Sequence, residues 1–401
     1  MSLRGHCATL LLVCLLVGCL RAPAQAAPPP PADAASRPSV TADAAVLIDA
    51  TTGRVLYAKA ADTPRAPAST TKMMTALIAL EQGNPSAEIT VGPRAAATPG
   101  SSAGLRAGER YTLGDLLRAL LLRSGNDAAV AIADHIAGSV EAFSALMNAR
   151  AQALGLQNTH FVNPHGLTQP FHYSSAYDLA RIARAGLRQP AFAAIVDSAT
   201  AQISGYDRMH RAFQRELRNT NRLLLAYDWV DGVKTGTTNA AGNCLVASGT
   251  RRGLRLIAVV LHSDHRWNDA LRLLQWGFAH FSDRTLRAGA VVGRVPVSGA
   301  VRPGEVVEVT SGQTLAVPVA LSELPRTRLR LEMPATLRAP VRAGQVLGQA
   351  VLERSGDVLG RVPLVARTSV SRAPWYLRYW RRLWPFGGRP QSTVRSAPPS
   401  Q

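Results

Sequence analysis

Residues 67–81 read Pro-Ala-Ser-Thr-Thr-Lys-Met-Met-Thr-Ala-Leu-Ile-Ala-Leu-Glu. Apolar Met73, Met74, Leu77, Ile78 and Leu80 recur at helical spacing, which predicts a helix with a face to bury. Ser69 and Lys72 fall in its first turn, three residues apart and therefore neighbours on one face. A serine hydroxyl is a poor nucleophile until a base takes its proton, and an amine can do so only after losing its own. The free N–H groups and partial positive charge of a helix N-terminus favour an oxyanion formed beside them.

Composition singles out that lysine. Of 45 Lys and Arg residues only three, Lys59, Lys72 and Lys234, are lysines. Where a bare positive charge suffices the chain uses arginine, which is effectively never deprotonated, whereas burial and nearby charge shift a lysine readily. Lys72 and Lys234 lie in Ser-x-x-Lys and Lys-Thr-Gly; Lys59 ends an apolar strand pattern and reads as a solvated surface residue.

Outward from the helix, AAVLID and RVLYAK flank Ala50-Thr-Thr-Gly53, the pattern of a β-hairpin. Thr112 and Asp115 stand in capping-box spacing before the apolar helix pattern of residues 112–122. That helix stops at Arg123-Ser124-Gly125-Asn126, and another begins with Asp127. A polar turn between buried helices puts Ser124 and Asn126 inside, where they need partners. Residues 231–261 alternate like consecutive antiparallel strands, with Lys234, Thr235, Gly236 and Thr237 at the sheet edge, and residues 266–281 return to helical spacing. The expected fold class is α+β, an antiparallel sheet packed with helices over residues 42–285. From 286 to 370, short Val-rich segments split by Pro and Gly predict a small all-β domain.

The ends read differently. Residues 1–26 carry Arg4, an apolar run from Ala8 to Leu20 and Ala24-Gln25-Ala26, the pattern of a signal peptide. Leu16-Val17-Gly18-Cys19 equally suits lipidation at Cys19, so cleavage after Ala26 and a lipid on Cys19 both stand. Residues 27–41 are a Pro- and Ala-rich linker. Three of the four cysteines fall in the leader, leaving Cys244 as a small core residue and no disulfide framework. In the Arg-rich tail, 371–401, Trp375–Trp384 puts aromatic residues and leucines on one helical arc and Arg378, Arg381 and Arg382 on the other. This suits the interface of an anionic bilayer, and the net charge of +19 fits the same partner. Arginines spread along the whole chain, with no nucleic-acid motif, argue against a nucleic-acid partner.

Ser-x-x-Lys at a helix start, Ser-x-Asn in an inter-helix turn and Lys-Thr-Gly at a strand edge, in that order, form the set of the penicillin-recognising serine enzymes. Over roughly residues 42–365 the chain resembles the serine-type D-alanyl-D-alanine carboxypeptidases, the low-molecular-mass penicillin-binding proteins. Asn163-Pro-His-Gly-Leu167, His172–Arg181, Asn219-Thr-Asn221 and Gln275-Trp-Gly-Phe278 extend the likeness. The resemblance implies Ser69 as nucleophile, Lys72 as base and Ser124 as proton relay. It implies Asn126, Lys234, Thr235, Gly236, Thr237 and Arg266 as substrate-binding residues, with the N–H groups of Ser69 and Thr237 as oxyanion hole. The implied substrate is a peptidoglycan pentapeptide, the implied inhibitors are β-lactams, and no cofactor or metal is called for. It also implies a periplasmic protein attached to the outer face of the inner membrane by its C-terminal helix. Two places depart from the pattern: Thr237 stands where relatives often have histidine, and the segment Ser263–Arg266 is shortened. Alternatives on the same site are a DD-endopeptidase, a weak β-lactamase, or a non-catalytic cell-wall-binding protein. Against fast β-lactam hydrolysis, no Glu-x-x-Leu-Asn occurs, and Glu216-Leu-Arg-Asn219 does not fit it.

Overall fold

The computed structural model describes residues 37–377 and 379. The leader, most of the linker and, in the tail, residues 378 and 380–401 lie outside them, so the expected amphipathic helix of residues 375–384 falls largely outside the described residues. Five strands form the central sheet in the order Val55–Lys59, Ala44–Asp49, Leu254–Leu261, Gly242–Arg251, Val230–Thr238, every neighbour antiparallel. The hairpin at 44–59 therefore joins the strands of 230–261, although some 170 residues separate them.

A strand turns alternate side chains to opposite faces, and both faces of this sheet are covered. Val46, Ile48, Ile257 and Val259 face the larger core, where Met73, Leu77, Leu116, Leu120, Ile132 and Leu179 meet them from four helices. Leu47, Leu256, Ala258 and Val260 face the other way, against Leu273, Leu274 and Trp276 of the helix Arg266–His280. Burial on both sides is why residues 256–261 of the strand Leu254–Leu261 read as an unbroken apolar run. Leu274 is fully buried. Truncating it to alanine would cost about 2–5 kcal/mol, the lost transfer energy plus the cavity.

Residues 67–81 are not one continuous helix. A 3-10 turn, Ala68–Thr71, precedes the α-helix Lys72–Gln82, and Ala68 takes a left-handed φ of 48°. Thr70 satisfies the turn by donating its hydroxyl to Pro67 O at 2.6 Å. The helix Leu113–Leu122 starts as its capping residues predict, with Thr112 Oγ1 accepting from Asp115 N at 3.1 Å.

Sequence patterning missed a second sheet, Glu88–Thr90, Arg110–Thr112, Thr200–Tyr206 and Ala212–Arg218. The last two strands form an exposed hairpin whose polar residues outnumber its apolar ones, so period-two apolar alternation is weak. The β-rich part starts at Phe281, directly off the preceding helix, rather than at 286, because Phe281–Leu286 pairs with Leu315–Ala320. Its six-stranded sheet encloses a separate core of Val295, Val307, Val309, Leu352 and Leu364. Cys244 is buried and free, as its apolar surroundings predict. Lys59 is exposed, and its Nζ donates to Val40 O at 3.0 Å.

Candidate active site

Three elements converge where the 3-10 turn, the inter-helix turn and the edge strand Val230–Thr238 meet. Lys72 is fully buried, yet its Nζ reaches Ser69 Oγ at 2.9 Å, Asn126 Oδ1 at 2.7 Å and the carbonyl oxygen of His165 at 2.7 Å. Three acceptors surround one amine and none is a carboxylate. Burial holds its pKa well below the ordinary lysine value, Lys234 pushes it further down, and Asp127 opposes both. A neutral amine at this position can accept the Ser69 proton.

Ser124 occupies the turn Arg123-Ser124-Gly125 at a left-handed φ of 62°, a conformation costing a non-glycine residue about 1–2 kcal/mol. Its hydroxyl oxygen is buried and unpartnered. Strain together with an open hydrogen-bonding position is the signature of a group held for a ligand. Asn126 is held on both sides: Nδ2 donates to Pro99 O at 2.6 Å and the backbone N to Ser101 O at 2.7 Å. Next to it, the buried Asp127 carboxylate accepts from the N–H groups of Ala103 and Leu105, fixing the loop over that side.

On the strand, Lys234 is buried with Nζ donating to Thr235 O at 3.1 Å. Burial, then Arg266, lowers its pKa to about 7. Thr235 Oγ1 lies 2.7 Å from Thr220 Oγ1, in Asn219-Thr-Asn221. Gly236 passes so close to the turn that a Cβ would meet Ser69 N and the Ala68 Cβ, each at 3.0 Å. The strand therefore needs glycine there to bring the Thr237 backbone up to the serine. Arg266 Nη1 donates to Gly236 O at 3.0 Å and to Thr237 Oγ1 at 2.7 Å, and Thr237 Oγ1 in turn donates to Gly236 O. Its guanidinium lies over the Trp267 ring at 4.7 Å. As the first residue of its helix Arg266 opposes the helix dipole, a position that hydrogen bonds must offset. A polar recess of about 330 Å³, lined by Arg222, Asn243 and Arg266 among others, opens beside it.

Ser69 and Asn126 are thus both bonded to Lys72, and Lys234, Thr235, Gly236, Thr237 and Arg266 form one continuous edge. The strings Asn163–Leu167, His172–Arg181 and Asn219-Thr-Asn221 belong to the family likeness, but no role attached to Thr220, to Asp127 or to the loop 163–172. That loop wraps the turn that carries Ser69: Asn163 Oδ1 accepts from Gly166 N at 2.7 Å, and a Cβ on Gly166 would stand 1.9 Å from Ala68 O. Burial and Lys72 keep the His165 ring neutral, its pKa lowered to about 3. The sequence signal was the string Asn163–Leu167 itself, whose Asn-Pro and Gly mark a specific turn.

A serine hydroxyl against a buried lysine, on an antiparallel sheet covered by helices on both faces, defines a serine-type peptidase. Residues 31–265 match the D-alanyl-D-alanine carboxypeptidase family and residues 282–372 the C-terminal domain of penicillin-binding protein 5. A D-alanyl-D-alanine carboxypeptidase of Bacillus subtilis is 36% identical over 83% of this chain and 86% of its own length; one from Escherichia coli K12 is 34% identical over 84% and 86%. The crystal structure of penicillin-binding protein 5 from Haemophilus influenzae superposes with a TM-score of 0.67 at 32% identity, covering 84% of this chain and all of that one. The Streptomyces K15 DD-transpeptidase gives a TM-score of 0.59 at 35% identity, over 61% of this chain and all of its own. The chain belongs to the D-alanyl-D-alanine carboxypeptidase family, and is a penicillin-binding hydrolase of the cell wall.

Proposed function

We propose that the enzyme removes the terminal D-alanine of peptidoglycan pentapeptides through an ester on Ser69, and that β-lactams acylate the same oxygen. The observation that carries this is Lys72 Nζ, fully buried, its pKa held well below the ordinary lysine value by burial and then by Lys234, 2.9 Å from Ser69 Oγ. Lys72 takes the Ser69 proton as Oγ bonds to the carbonyl carbon of the penultimate D-alanine. The resulting oxyanion faces the N–H groups of Ser69 and Thr237; losing one such donor typically costs about 3–4 kcal/mol. The C–N bond then breaks, and the leaving amine takes its proton by way of Ser124. Water hydrolyses the ester and regenerates the serine. Asn126 holds the substrate amide, while Lys234, Thr235 and Arg266 meet the terminal carboxylate, a task suited to a planar guanidinium.

Mass spectrometry of the intact protein with and without benzylpenicillin, alongside D-alanine release from a peptide ending in D-Ala-D-Ala, tests the reading. The expected result is one acyl adduct on Ser69 and steady release; absence of both overturns it. Rapid turnover of benzylpenicillin would instead indicate a β-lactamase, but Glu216 is exposed, paired with Arg218 on the outer hairpin.

The leader and tail support export and peripheral attachment to the outer face of the inner membrane. Trp375, Tyr376 and Tyr379 are 73%, 49% and 58% exposed, which suits rings that enter a headgroup layer. The β-rich part would then hold the site away from the bilayer. A protein ending at Val370 should lose membrane association on fractionation; unchanged association would pass the role to a lipid on Cys19.

A further inference from the structure

The segment 163–172 carries a residue that local physics disfavours twice. Pro170 and Phe171 form the centre of a turn closed by His172 N donating to Gln169 O at 3.1 Å, and Phe171 has a φ of 65°. Proline second and a positive φ third is the type II pattern, whose third position ordinarily belongs to glycine. Phe171 is also 77% exposed, so its ring gains nothing from burial. Neither turn preference nor the core accounts for a phenylalanine here.

The backbone around it is pinned to the catalytic elements. At one end His165 O accepts from Lys72 Nζ. In the middle Thr168 Oγ1 lies 2.8 Å from Thr238 Oγ1, the last residue of the active-site strand. At the other end His172 Nε2 lies 2.9 Å from Thr71 Oγ1, two residues from Ser69, and Phe171 O accepts from His160 Nδ1 at 2.7 Å. The chain on both sides of Phe171 is therefore tied to the elements that carry Ser69 and Lys234, and its strained turn presents the ring to solvent.

We propose that Phe171 is a specificity-determining residue, an apolar platform for the donor peptide on the acyl side of its D-Ala-D-Ala end. The part it takes is the long aliphatic side chain of the residue preceding that dipeptide. An aromatic face holds methylene groups by dispersion and apolar burial, without demanding a fixed polar pattern. Binding energy gathered so far from the scissile bond raises kcat/KM for long donors and leaves short ones unaffected. The inference rests on the carboxypeptidase mechanism proposed above.

The test compares wild type, Phe171→Gly and Phe171→Trp on two donors, N-acetyl-D-Ala-D-Ala and diacetyl-L-Lys-D-Ala-D-Ala, with benzylpenicillin acylation as a third readout. Glycine suits the observed φ, so that variant folds and its melting temperature holds or rises. Phe171→Gly is expected to lose about tenfold in kcat/KM on the lysine donor, the scale of a lost apolar contact, while the short donor and penicillin acylation stay within about twofold. Phe171→Trp keeps the preference for the longer donor. Equal losses on both donors, or none on the lysine donor, overturn the proposal. A wild-type enzyme that releases D-alanine from neither donor overturns the underlying mechanism, a result the short donor separates from failure of Phe171 alone.

Discussion

Lys72 Nζ and Ser69 Oγ lie 2.9 Å apart across the junction of a 3-10 turn and an α-helix, with the lysine fully buried and the serine half-buried. The contact joins an amine that water does not reach to a hydroxyl that is partly open to solvent. Its chemistry depends on which form of the amine the site stabilises.

Lys72→Arg should fail to acylate and melt below wild type, because it fixes a permanent charge where burial disfavours one and no carboxylate is in contact. A guanidinium does not give up its proton at working pH, so the loss should match that of a general base, about 10²–10⁴-fold in the second-order rate with benzylpenicillin. Stopped-flow labelling measures it, with Ser69→Ala as the zero. An active Lys72→Arg enzyme would remove the base from the mechanism.

Lys234 should set the pH range. Its charge lowers the Lys72 pKa, though less than burial does, and its own pKa of about 7 means that this charge fades above neutrality. Acylation rises with pH as Lys72 loses its proton, so in Lys234→Met that rising limb should move to higher pH. The stability sign is separate. Between pH 7 and 10.5 the unfolded chain binds the Lys234 proton more tightly than the fold does, so wild type gains stability as pH rises through that window. Lys234→Met should lack this gain, which melting curves across the window will read.

Thr237 should act through Arg266. Its hydroxyl accepts from Nη1 at 2.7 Å, and Gly236 O shares the same nitrogen. Thr237→Val removes one of two anchors and should raise KM for a D-Ala-D-Ala peptide by about tenfold, the scale of one hydrogen bond to a charged group. Thr237→Ser, which keeps the hydroxyl, should restore it. Equal kinetics in the Val and Ser variants would show that the hydroxyl does not position the arginine.

Asp283 should weaken the fold above about pH 6. Burial, then the charge of Asp49, raises its pKa to about 6, and one of its oxygens is buried without a partner. A carboxyl raised in this way contributes stability at low pH that is lost as pH climbs through the folded value. Asp283→Asn should therefore raise the melting temperature more at pH 8 than at pH 5. An equal shift at both values would mean that its ionisation does not bear on folding.

Much of this enzyme is legible locally. The spacing of Ser69 and Lys72, the cap at Thr112 and the apolar runs of 231–261 are short-range facts, because helix and strand periods are properties of neighbouring residues. Scarcity of lysine singled out the two amines that the fold buries at this site. Other features had no local signal. The hairpin Thr200–Arg218 was missed because its faces are mostly solvated, and the 3-10 start of the serine helix depends on a close approach by Gly236 and Gly166. What tertiary structure alone decided is the state of the amines. Residues 72, 126, 165 and 234 are distant in the chain, and only their packing strips Lys72 of water, denies it a carboxylate and puts a second amine nearby. A pKa is set by desolvation and by charges within a few ångströms, and those distances exist only once the sheet and helices have closed around the site.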